Sequence, residues 1–104
     1  MGASPLSESR VVPSFLAETY LARPDRTRAQ EHAQRARVAA QELAKQGTPI
    51  RFVRSIYVPD DEVCFFVFDA ISADAVEAAC ARAAVRFERV VEAIESPRDQ
   101  RRNT

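Results

Sequence analysis

Four charged side chains interrupt segments that otherwise read as strands: Glu18, Arg54, Arg89 and Glu92. Ionised groups inside apolar strands are costly unless paired, so they mark a ligand site or ion pairs that fix an interface. Glu18 and Tyr20 are two residues apart in SFLAETYLA and share a strand face. By the same alternation Arg54 shares a face with Phe52 and Ile56 in IRFVRSIYV. Glu92 lies with Val90 and Ile94 in RFERVVEAI, and Arg89 lies opposite them. If the first and last strands are neighbours, Glu18 and Glu92 approach. Two carboxylates and an arginine on a partly covered sheet can hold a small ligand or shift one another's pKa. Glu18, Tyr20, Arg54 and Glu92 are therefore the candidate ligand-binding set. The plain alternative is that they sit on the solvated edge of the sheet or make ion pairs that fix a dimer's register.

Other chemistry is thinly represented. His32 is the single histidine and the one metal-ligand candidate of the imidazole type. It lies on the flank of a helix with Glu31, Arg28 and Arg35 near. A lone imidazole makes no transition-metal site, and this position also fits a half-exposed helix residue. Asp60-Asp61 reads as a solvated turn. Cys64 and Cys80 lack CxxC spacing and fall on apolar stripes, so both are expected as core thiols. With only Gly2 and Gly47 there is no glycine-rich phosphate loop, and no Ser/His/Asp or Cys/His arrangement has supporting spacing.

The elements that must position these residues follow from periodicity. SFLAETYLA, 14–22, reads as a strand. Residues 27–46 read as a helix with a Thr27/Gln30 capping box and Asp25 near its positive end. Ala29, Ala33, Ala36, Ala40 and Leu43 form its stripe, and Lys45, Gly47 and Pro49 end it. Residues 50–58 and 62–70 read as a hairpin around the PDDE turn. Ser72 caps a second helix, 73–84, whose inner face is Val76, Ala79, Cys80 and Ala83. Residues 86–94 read as a final strand. The order β-α-β-β-α-β predicts an α+β, ferredoxin-like sheet with both helices on one face and the first and third strands central. The domain is expected over 14–95, with loose ends at 1–13 and 96–104.

The strand EVCFFVFDA is apolar on both sides: Cys64, Phe66 and Phe68 alternate with Val63, Phe65 and Val67. The helices can cover only one side. The other side predicts an interface, and a symmetric homodimer meeting sheet to sheet is the expectation. The alternative is that the N-terminal segment folds over the sheet.

The four strands and the second helix also carry a family resemblance, which covers roughly residues 15–95. Residues 47–83, GTPIRFVRSIYVPDDEVCFFVFDAISADAVEAACARA, with FLAETYL before and FERVVEAIE after, resemble the DUF4242 family of small bacterial proteins, often labelled nickel-binding-protein-like. The matching features are Glu18, Arg54-Ser55, the acidic turn ending in Glu62, the Cys64 strand and the 72–75 helix start. Where members often carry Gly-Leu-Pro before the last strand, this chain has Ala84-Val85-Arg86. The resemblance implies a ferredoxin-like fold, a dimer and the capacity to bind nickel, while the residues themselves name no cofactor.

Fifteen basic residues balance fifteen acidic ones, so no global field favours nucleic acid. Strand aromatics suit an RNA platform, but the RNP pattern with its glycines is absent. No apolar run nears the roughly 20 residues that span a bilayer, and the opening MGASPLSESRVVP has no apolar signal core. The expectation is a cytoplasmic protein that binds neither nucleic acid nor membrane. Its expected function is non-enzymatic small-ligand or metal binding. The alternatives are a cofactor-free enzyme of the dimeric α+β-barrel type and a protein-interaction module.

Overall fold

Alternation in SFLAETY puts Phe15, Ala17 and Thr19 on one side of a strand and Ser14, Leu16, Glu18 and Tyr20 on the other, and in the computed structural model the first group is buried. The structure describes residues 12–21 and 25–94. The expected loose ends and the N-terminal cover over the sheet lie outside these residues, apart from the short stretches at their edges. The elements are β1 (Ser14–Tyr20), α1 (Arg26–Lys45), β2 (Ile50–Val58), a 3₁₀ turn (Pro59–Asp61), β3 (Val63–Ala70), α2 (Ala73–Arg82) and β4 (Arg89–Ala93). They form one four-stranded sheet in the order β2-β3-β1-β4, with every neighbouring pair antiparallel. This is the expected ferredoxin-like α+β arrangement, with β1 and β3 central.

The helices occupy one face because their small residues permit close approach. Ala36, Ala39 and Ala40 of α1 and Val76, Ala79 and Cys80 of α2 are buried against the sheet residues Phe15, Ala17, Cys64, Phe66 and Phe68. Phe52 meets Phe66 and Phe68 edge to face at 6.1 and 5.5 Å, and the Arg37 guanidinium lies 4.8 Å from the Phe52 ring centre. Both cysteines are buried and unbridged, as expected. Burial pushes each thiol up to about 11, and at Cys80 the Glu77 carboxylate adds to the effect.

Three local details differ from the sequence reading. The cap of α1 is Asp25, whose Oδ1 accepts from the Arg28 N–H at 3.1 Å, so the helix starts before Thr27. Strand β4 covers only Arg89–Ala93 of the expected 86–94. A bulge between Phe52 and Arg54 changes the alternation of β2: Phe52 faces the helices, whereas Arg54 stands on the open face opposite Val67. Arg54 therefore does not share a face with Phe52.

Candidate functional site

The open face of the sheet combines an apolar strip with charged groups at its ends. Across the strands, Arg54, Val67, Leu16 and Val91 stand in one register row, and Ile56, Phe65, Glu18 and Arg89 in the next. Ile56 and Val91 remain 43% and 37% exposed, so this strip is accessible to another surface. Val67 is nearly buried at 5% even without helices above it.

Glu18 and Arg89 face each other across β1 and β4, and Arg89 Nε donates to Glu18 Oε1 at 2.8 Å. Next along β1, the Tyr20 hydroxyl donates to Glu62 Oε1 at 2.8 Å. That hydrogen bond, reinforced by the Glu62 negative charge, holds the Tyr20 phenol above its ordinary pKa. Glu62 has a left-handed backbone (φ 56°) at the end of the 3₁₀ turn, and its carbonyl accepts from the Leu21 N–H, which ties the turn to the end of β1. Between these groups lies a hollow of about 420 Å³ lined by Glu18, Thr19, Tyr20, Val63 and Glu88. Two carboxylates, a phenol and an apolar floor can orient a small polar ligand by hydrogen bonds.

Of the expected ligand-binding set, Glu18 and Tyr20 come together at this hollow, and Arg54 stands on the same face one register row away. Glu92 does not join them. It pairs in register with Phe15, whose side chain faces the helices, so Glu92 and Glu18 project from opposite faces. The even positions of β1 face odd positions of β4, which gives Glu18 an arginine as neighbour in place of a second carboxylate. Sequence reasoning missed Glu88, the second carboxylate at the hollow. Its backbone N–H donates to the Glu18 carbonyl, and that bond places it beside Glu18. Nothing in the local pattern marks it.

His32 lies elsewhere, on the helix side of the sheet. It is half-buried on α1, and its Nδ1 is buried with no hydrogen-bond partner among the described residues. Burial first, then the charges of Arg35 and Arg28, lower its pKa, against an opposing pull from Glu31. It borders a second cavity of about 520 Å³ with Arg28, Glu31, Arg35 and Arg86. Among the described residues no three His, Cys, Asp or Glu side chains converge as a metal centre would need. The arginines beside His32 also repel a cation. The residues described here do not fit nickel.

No helix among the described residues is long and apolar enough to cross a membrane. No family model and no curated protein matches the chain. Among solved structures, the chain is similar to SCO4226 from Streptomyces coelicolor A3(2), with a TM-score of 0.64 and 17% identity over 81% of this chain and 99% of that one. At that identity the likeness concerns the fold.

Proposed function

We propose that this chain is a non-enzymatic, homodimeric small-ligand-binding protein of the DUF4242 kind. The protomers join through the open face of the sheet, and the hollow beside Glu18 and Tyr20 takes the ligand. The observation that carries the reading is the apolar strip of Leu16, Ile56, Phe65 and Val91 beside a polar hollow. A second copy is the partner most economically matched to such a strip, since one two-fold axis buries it twice. Because the donor set does not fit a metal, the ligand is read as organic.

Analytical ultracentrifugation of the full chain is the first test. Placing a charge in the strip by Phe65→Glu removes about 1.5–3 kcal/mol of apolar burial per protomer. With two protomers that weakens association about 10²- to 10⁴-fold. A wild-type chain that stays monomeric at high concentration would overturn the dimer and favour an interaction module meeting a different protein. Equilibrium dialysis of tag-free protein against nickel, with zinc and copper as competitors, tests the ligand class. Stoichiometric nickel uptake lost in Glu18→Gln or His32→Gln would overturn the organic reading.

A further inference from the structure

The cavity around His32 brings several basic residues together. Arg28, Glu31, His32 and Arg35 recur at helical spacing on α1, and Arg86 comes from the segment between α2 and β4. Three arginines, one glutamate and one histidine thus line one concavity of about 520 Å³, in a chain whose formal net charge is zero. Arg28 and Arg86 make no ion pair with a described carboxylate. Glu31 is the one acidic residue among the described residues of the lining, so this part of the wall carries a local excess of positive charge.

One arginine of the wall, Arg35, is held in place. Arg35 Nε donates to the Ala83 carbonyl at 2.9 Å and Nη2 to the Ala84 carbonyl at 3.4 Å. Its Nη1 has no such partner among the described residues. The Thr19 hydroxyl donates to the Arg86 carbonyl and fixes that backbone against the end of β1. His32 borders the same wall. Unused donors on a positioned frame are what a multivalent anion needs, and the guanidinium fork matches phosphate oxygens better than it matches a point charge.

We propose that this cavity binds a small phosphorylated molecule, its phosphate held by Arg28, Arg35 and Arg86 and its remainder lying toward Thr19 and Tyr20. The site is on the helix side of the sheet and stands whether or not the open face takes a ligand. Among the described residues, Thr19 and Tyr20 alone border both hollows.

The test is a titration of the full ¹⁵N-labelled chain with ribose 5-phosphate, using ribose and potassium chloride of matched ionic strength as controls. Saturable shifts are expected at the Thr19, His32, Arg35 and Arg86 amides with ribose 5-phosphate and with neither control. The exposed-residue variants Arg28→Gln and Arg86→Gln should each weaken binding about tenfold or more, as expected for loss of a charge-assisted contact. Their unperturbed amide spectra would establish that they fold. Shifts equal to those with potassium chloride, or unchanged affinity in both variants, would overturn the site. So would saturation by citrate at the same amides with higher affinity, because the site would then select carboxylates over phosphate.

Discussion

Both helices end in the same hydrogen-bonded turn, but with different residues at its left-handed position. After α1, the Thr48 N–H donates to the Leu43 carbonyl at 2.9 Å and the Gly47 N–H to the Ala44 carbonyl at 3.1 Å. After α2, the Val85 N–H donates to the Cys80 carbonyl at 2.9 Å and the Ala84 N–H to the Ala81 carbonyl at 3.0 Å. This is the Schellman pattern at both ends. Its pivot has φ 101° at Gly47 and φ 59° at Ala84. A left-handed conformation costs an L-residue roughly 1–2 kcal/mol and glycine almost nothing. Ala84 is exposed, so deleting its methyl group forfeits little burial. Against the relief stands the greater freedom of glycine in the unfolded chain, about 0.4–1 kcal/mol. Ala84→Gly is therefore expected to stabilise by roughly 0.5–1 kcal/mol, a rise in Tm of about 3–6 °C at this size. A Cβ at Gly47 would meet nothing within 4 Å, so Gly47→Ala carries a conformational cost alone. It should destabilise by about 1 kcal/mol, and the double variant should lie near wild type. Urea unfolding at one fixed protein concentration reads these as opposite shifts in midpoint at constant slope. Destabilisation by Ala84→Gly would refute the reasoning, and with it the account of how the Ala83 and Ala84 carbonyls present Arg35.

Phe66 is fully buried against Phe52, and Phe66→Ala should cost about 3–5 kcal/mol in urea unfolding, whereas a loss under about 1 kcal/mol would mean the core is not packed as described. Because burial pushes Cys64 and Cys80 up to about 11, a thiol-reactive disulfide reagent near pH 8 should label neither until the protein unfolds; prompt labelling of native protein would contradict their burial. His32 has a folded pKa below its ordinary 6.5, so the unfolded chain takes up the proton first as pH falls. Its contribution is present above about pH 6.5 and is lost as pH drops toward the folded value, and His32→Gln should flatten that part of the stability–pH curve.

The topology was legible because each element carries its own signal. Ser72 is the observed cap of α2, its Oγ accepting from the Ala75 N–H, and Ile50–Val58 has the predicted bounds. The bulge in β2 also left a trace, since Phe52 and Tyr57 both pack toward the core at an odd spacing that a regular strand forbids. What could not be read is the register between β1 and β4. No hairpin joins them, so no turn length fixes which residue stands opposite Glu18. A strand's alternation gives each residue a face within that strand but not which faces coincide between strands. That is why Glu92 was misplaced and Glu88 missed.

The balanced net charge conceals a separation across one end of the sheet. Glu18, Glu62 and Glu88 gather on the open side around Tyr20 against one arginine, Arg89, paired with Glu18, while Arg28, Arg35 and Arg86 gather on the helix side around His32 against one carboxylate, Glu31. A whole-chain charge of zero argues against an extended polyanion, which needs a continuous basic track. It says nothing about a ligand a few ångströms across, because charges within a cavity are screened less than those spread over a surface. The Thr19 and Tyr20 pair separates these opposite fields, with Thr19 turned toward the helices and Tyr20 toward the open face. A single anionic ligand should therefore choose between the two hollows by charge alone. The arginine side is the one that electrostatics selects.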